Sequence, residues 1–108
     1  MSDNTAGGNP GKIHFMLWST PPRATFSEDM TAEERNIMYR HIAYWTERQS
    51  QGIALIFGPV RKPNDPHGLA VIEVESADQV PQLIAEDPAV IAGIMATDFY
   101  PMMAVLPK

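Results

Sequence analysis

The chain contains no cysteine. That excludes disulfides, thiol nucleophiles and zinc sites built on thiolates. Basic residues are few and scattered: 8 Lys and Arg stand against 13 Asp and Glu, for a formal charge of −5. With no basic stripe to follow a phosphate backbone, nucleic acid is not an expected partner. No apolar run approaches the roughly 18 residues of a membrane helix, and no basic-then-apolar leader pattern opens the chain. The expectation is therefore a soluble, cytoplasmic protein with no membrane partner. A phosphate-cradling glycine loop is missing as well, because Gly7-Gly8 precedes no strand-to-helix turn of the required kind.

What is present fits one domain. A chain of 108 residues with 44% apolar content can build a core, though a partner subunit would help to bury it. Residues 1–11, MSDNTAGGNPG, offer almost nothing to pack and are expected to be a disordered tail, leaving residues 12–108 as the folded domain.

Residues 31–51, TAEERNIMYRHIAYWTERQSQ, are the longest strongly helical stretch. Thr31 and Glu34 form the pattern of a capping box, Glu33 and Glu34 suit the positive end of the helix dipole, and Gly52 can turn the chain out. Ile37, His41, Trp45 and Arg48 share one face, with Met38 and Ile42 alongside. His41 thus lies within an otherwise apolar stripe. That makes it the most informative position in the chain.

Residues 12–18, KIHFMLW, read as a strand with Ile13, Phe15 and Leu17 on one face and His14, Met16 and Trp18 on the other. Both faces are largely apolar, so the strand should be central. A polar loop then leads to the helix. Residues 53–57 read as a second strand that Gly58-Pro59 ends or bends, and residues 61–68, RKPNDPHG, as a hairpin loop. Residues 69–75 give a third strand. A second helix runs to about Glu86, starting near Asp78 because Pro81 interrupts the pattern. Asp87-Pro88 opens a short helix through Ile91 that Gly93 ends, and residues 97–106 form the last strand, with Pro101 arguing for an edge.

Strand, helix, strand, strand, helix, strand is the order of a ferredoxin-like α+β fold, a split βαββαβ sheet with its helices on one face. Two helices cover one face only. The other face also carries apolar side chains, so a second copy is the simplest partner, giving a homodimer through the open sheet face.

The chain resembles a known family at this point. The residues that carry the likeness are His41, Tyr44 and Trp45 on the helix; Gly52 before a strand ending in Gly58-Pro59; Glu73 to Ser76; and the D-P-x-x-x-A-G run from Asp87 to Gly93. Together they resemble the YciI-like, or YCII-related, proteins over residues 12–106. The resemblance implies a dimeric α+β barrel, two ferredoxin-like sheets packed face to face. It also implies an active site near the interface centred on a histidine and an aspartate, carried here by His41 and Asp87. Family members often have an arginine three residues before that histidine; here the position is Met38, with Arg40 next to His41. One branch of the family resembles a dehydrochlorinase acting on chlorinated hydroxyquinols, and fold neighbours include muconolactone isomerases and cofactor-free monooxygenases. Fold alone does not choose among them.

A histidine paired to a carboxylate is a general acid or base with a fixed tautomer. Equally, His41 reads as a hydrogen-bonded core histidine, and Asp87 as the helix cap that any Asp-Pro step supplies. Trp18, Ser19, Trp45, Phe57 and Gly58 could line a pocket for a planar small-molecule ligand, although Trp45 and Phe57 also suit the core or the dimer interface. Ser19 has no assigned base, so a serine hydrolase is unsupported. His14 and His67 share no metal-ligand spacing with His41, so no metal site is expected. Two readings follow. One is a cofactor-free enzyme moving a proton on a small cyclic or aromatic metabolite, by isomerisation, elimination or addition, with His41 as shuttle and Asp87 as orienter. The other is a small-molecule-binding or accessory homodimer whose His–Asp pair is structural.

Overall fold

The computed structural model describes residues 11–107, so the expected tail falls outside the described residues except for Gly11. In chain order the elements are β1 (Ile13–Thr20), α1 (Phe26–Asp29), α2 (Ala32–Ser50), β2 (Ala54–Val60), β3 (His67–Val74), a 3-10 turn (Ala77–Gln79), α3 (Val80–Ala85), α4 (Pro88–Ile91) and β4 (Ala96–Met102). The four strands form one antiparallel sheet in the order β2-β3-β1-β4. This is the ferredoxin-like α+β arrangement, with the first and third strands central.

Alternation along β1 sorts the two faces. Phe15 and Leu17 are buried and pack with Ala70, Ile72 and Val74 of β3 against Trp45 of α2 and Val80 and Ile84 of α3. Removing each large aliphatic side chain from water contributes roughly 1.5–3 kcal/mol. The opposite face carries His14, Met16 and Trp18, with Val71 and Glu73 beside them and Tyr100 and Met102 across from them. A second cluster, Phe26, Ile37, Ala89 and Met95, lies under the other end of α2.

The helix ends follow the sequence closely. Thr31 and Glu34 form the expected capping box, with Glu34 N–H donating to Thr31 Oγ1 at 3.0 Å and Thr31 N–H to Glu34 Oε1 at 2.9 Å. Gly52 (φ +79°) and Gly93 (φ +75°) take the left-handed conformation that closes α2 and α4. At both, paired bonds satisfy the last carbonyls: Ile53 N–H to Arg48 O and Gly52 N–H to Gln49 O, then Ile94 N–H to Ala89 O and Gly93 N–H to Val90 O.

Four boundaries differ from the sequence reading. The loop after β1 contains α1, whose Phe26 is 4% exposed. Strand β2 continues through Gly58-Pro59 to Val60. As an edge strand it tolerates a proline, and its irregularity falls earlier, between Ala54 and Ile56. The second helix divides at Pro81: lacking an N–H, Pro81 cannot reach the Ala77 carbonyl, and Val80 N–H takes it in a 3-10 bond instead. Strand β4 ends at Met102, short of residue 106, and holds Pro101 at the sheet edge.

The loop before α2 is fastened by Arg23. Its Nε donates to Asp29 Oδ1 at 2.8 Å, and its two terminal nitrogens donate to Glu34 Oε2 at 2.9 Å and Oε1 at 2.7 Å. The guanidinium also lies 5.3 Å from the Phe26 ring centre. The Arg23 side chain and the Thr31 backbone N–H hold the Glu34 carboxyl down at about 2, against an ordinary 4.5. A carboxyl depressed on folding contributes stability that is present above its unfolded value and lost as pH falls through the folded one. This fastening should therefore persist from neutrality to pH 4.5 and fail towards pH 2. An NMR titration of Glu34 should show its midpoint near 2. Arg23→Ala should move it up towards 4.5 and speed amide exchange across residues 23–31; a midpoint that stays put would refute the clasp.

Candidate functional site

The Asp-Pro step that starts α4 puts a carboxylate at a helix N-cap, and α2 brings two ring N–H groups to the same place. Asp87 is 2% exposed. Its Oδ1 accepts from the backbone N–H of Ala89 at 2.9 Å, and its Oδ2 accepts from Trp45 Nε1 at 2.9 Å. His41 Nδ1 lies 2.9 Å from both carboxylate oxygens. The four-residue spacing of His41 and Trp45 on α2 aims both rings at one carboxylate.

An indole N–H and a backbone N–H can only donate. Asp87 therefore acts as an acceptor on both oxygens, and the network assigns a proton to Nδ1 of His41. Asp87 stands behind the ring and is not part of the cavity wall, whereas His41 is. With Nδ1 taken by Asp87, Nε2 is the ring nitrogen left for a ligand. Among the described residues, no hydrogen bond reaches Nε2. A neutral ring held in this way offers a lone pair to a ligand as a general base, and its charged form has a carboxylate at its back.

The cavity is about 810 Å³ and lies between the sheet and α2, bounded by α1 and the β2–β3 loop. Its volume falls within the roughly 300–1,000 Å³ usual for small-molecule sites. It exists because the helix-facing side of the sheet is bulky at one end and small at the other. Phe15, Ile72 and Val74 fill one end, while Ser19, Gly68 and Ala70 leave room at the other. Leu17, Phe26, Met38, Trp45, Phe57 and Met95 supply apolar wall.

Of the residues expected from sequence to meet a ligand, Ser19, His41, Trp45, Phe57 and Gly58 all line this cavity. Trp18 does not. Strand alternation sends it to the opposite face, where it stacks on His67 with ring centres 4.3 Å apart. Ile42, placed on the apolar stripe by its spacing, is 49% exposed at the cavity edge. Sequence reasoning missed Phe26, Met38 and Met95 as wall, and Trp45 as a donor to Asp87. The His41/Trp45 spacing was a signal for the last; Phe26 and Met95 had none, because loop paths bring them in.

Tyr44 and Asp65 are shifted as well. Burial pushes the Tyr44 hydroxyl up, and that hydroxyl donates to Leu83 O at 2.7 Å, tying α2 to α3. In the β2–β3 loop, Lys62 and then His67 hold the Asp65 carboxyl below its usual value, at 3.2 Å and 2.9 Å. No group of His, Asp or Glu among the described residues is arranged to hold a metal ion. No helix among them is long and apolar enough to cross a membrane.

Fold and site together define a ferredoxin-like α+β domain with a carboxylate-oriented histidine on the wall of a sheet–helix cavity. Residues 14–101 match the YCII-related domain, and the chain belongs to that family. Among solved structures it is similar to the 5-chloro-2-hydroxyhydroquinone dehydrochlorinase TftG of Burkholderia phenoliruptrix AC1100, determined in complex with 2,5-dihydroxybenzoquinone. The identity is 18%, over 82% of this chain and 91% of that one, with a TM-score of 0.61. This likeness shows the fold. It is also similar to SnoaB, a cofactor-independent oxygenase of Streptomyces nogalater, at 14% identity over 86% of this chain and 92% of that one, with a TM-score of 0.48. No curated protein matches the sequence.

Asp87→Ala removes a helix cap, worth about 0.5–2 kcal/mol, and strands the buried indole N–H, at roughly 1–3 kcal/mol. Chemical denaturation should show a loss of about 1.5–5 kcal/mol. A loss below about 1 kcal/mol would mean that the carboxylate does not hold α2 to α4.

Proposed function

We propose that the protein is a cofactor-free enzyme that moves a proton on a small cyclic or aromatic metabolite. The observation that carries this reading is the His41–Asp87 pair: Nδ1 is held on the buried carboxylate, and His41 lines a largely apolar cavity. In the forward step Nε2 takes a proton from a ring carbon or hydroxyl of the substrate. The electron pair left behind moves into the ring system, and the imidazolium is stabilised by Asp87. Return of that proton to another atom of the same substrate completes an isomerisation. Departure of a leaving group with the electron pair completes an elimination. A ring-binding relative of similar fold, the dehydrochlorinase held with dihydroxybenzoquinone, supports this substrate class.

A second reading has its own observation. Asp87 also caps α4 and accepts from Trp45, so the pair could serve the fold of a small-molecule-binding dimer. His41→Gln separates the two. Glutamine can replace one hydrogen bond but cannot shuttle a proton near neutral pH. On the catalytic reading, turnover across a panel of hydroxylated and chlorinated cyclic compounds falls to background while the melting temperature barely changes. On the structural reading, stability drops by roughly 1–3 kcal/mol and any turnover survives.

The same reading includes a homodimer formed through the open sheet face. Ile56, Tyr100 and Met102 are 59%, 49% and 42% exposed there, an apolar surface that the helices on the far side leave uncovered. Light scattering at micromolar concentration should give twice the chain mass, and an interface of this kind should bury more than roughly 1,000 Å². A monomer would rule the interface out.

A further inference from the structure

Arg61 is the first residue after β2 and an exposed part of the cavity wall, which puts it at the rim. The other lysine or arginine on the cavity wall, Lys62, is already held by Asp65 at 3.2 Å. Among the described residues Arg61 forms no ion pair. In a chain with 13 acidic residues, a cation at a cavity rim left without a carboxylate is notable.

The backbone that carries Arg61 is well fixed. The loop after it contains Pro63 and Pro66, and Asn64 sits in the left-handed region at φ 61°. Asp65 N–H closes a turn on Lys62 O at 3.0 Å, and the Asp65 carboxylate takes Lys62 and His67. A guanidinium on such a loop loses less freedom when it captures a ligand.

Arg61 and Lys62 bring two cations to the cavity wall against one carboxylate, that of Glu28. Ser19, on the cavity wall, shares a hydrogen bond with Thr97 at 2.8 Å, and when Thr97 donates, the Ser19 hydroxyl keeps its own hydrogen for a ligand. Arg61 adds the planar fork of N–H groups that matches a carboxylate in two bonds. Against these stand Nε2 of His41 and the carboxylate of Glu28, which lines the α1 side. Such a cavity calls for a ligand rich in acceptor oxygens.

We infer that Arg61 sets the charge of the substrate: the cavity takes a small ring bearing an anionic oxygen group, a carboxylate or ionised phenol, which Arg61 holds at the rim while the ring enters towards His41. The inference rests on the proton-transfer reading for its use of the cavity. When His41 removes a proton, the substrate gains negative charge, and the guanidinium offsets it.

Calorimetric titration of the full chain with benzoate and 4-hydroxybenzoate, against benzamide and 4-hydroxybenzamide, tests this. The amides match in shape and lack the charge. The carboxylates should bind at least roughly tenfold more tightly than the amides, and added salt should shrink the difference. Arg61→Gln, an exposed loop change, should abolish the preference, and His41→Gln should preserve it. Glu28→Gln should keep or increase it. Equal binding of acids and amides, a preference that survives Arg61→Gln, no acid binding up to millimolar concentration, or Glu28→Gln behaving like Arg61→Gln would each overturn the inference. Turnover that survives His41→Gln would instead sink the proton-transfer reading and leave the charge preference standing.

Discussion

A single buried carboxylate organises the helical layer. Asp87 takes N–H groups from the Ala89 backbone, the Trp45 indole and the His41 imidazole, so α2 and α4 meet through it. An isolated carboxylate could not remain charged at 2% exposure. With both oxygens occupied by donors, burial becomes tolerable, and the crossing of the two helices is fixed by the directions of those bonds. His41 inherits its orientation from this arrangement. Fold stability and ring alignment are consequently two effects of one group.

Local rules account for what was legible in the sequence. The capping box at Thr31, the glycines that end α2 and α4, the Asp-Pro start of α4 and the period of β1 each act within a few residues. They fixed the element order, and the order implied the sheet topology. What stayed hidden depends on distant partners. Phe26 looks like a stray apolar residue in a polar loop until Arg23 ties that loop to Glu34 across 11 positions. Gly58-Pro59 looks like a stop until the strand proves to be an edge, where a missing N–H costs nothing.

Part of the candidate site was legible and part was misread for a reason that the sequence itself contained. His41 and Asp87 stand 2.9 Å apart, and their pairing was implied by family resemblance, since no local rule joins positions 41 and 87. Trp18 and Ser19 were both expected at the ligand. Neighbours on one strand point to opposite faces, so both could not line a cavity on one side of the sheet. Ser19 faces it; Trp18 belongs to the open face with His67.

The cavity is a consequence of how the two core clusters divide the sheet. The larger cluster ends near Ala70 and Trp45, and the smaller one begins at Phe26 and Met95; both lend residues to the cavity wall, and Val90 packs against each. At the junction the sheet offers Gly68, Ala70 and Ser19, side chains too small to close the gap. Adding a Cβ at Gly68 would bring it 3.5 Å from Ser19 Cβ, an ordinary contact, and at Gly58 it would meet nothing within 4 Å. The space is therefore not dictated by backbone crowding. It persists because larger side chains are absent where His41 and Ser19 line the same cavity.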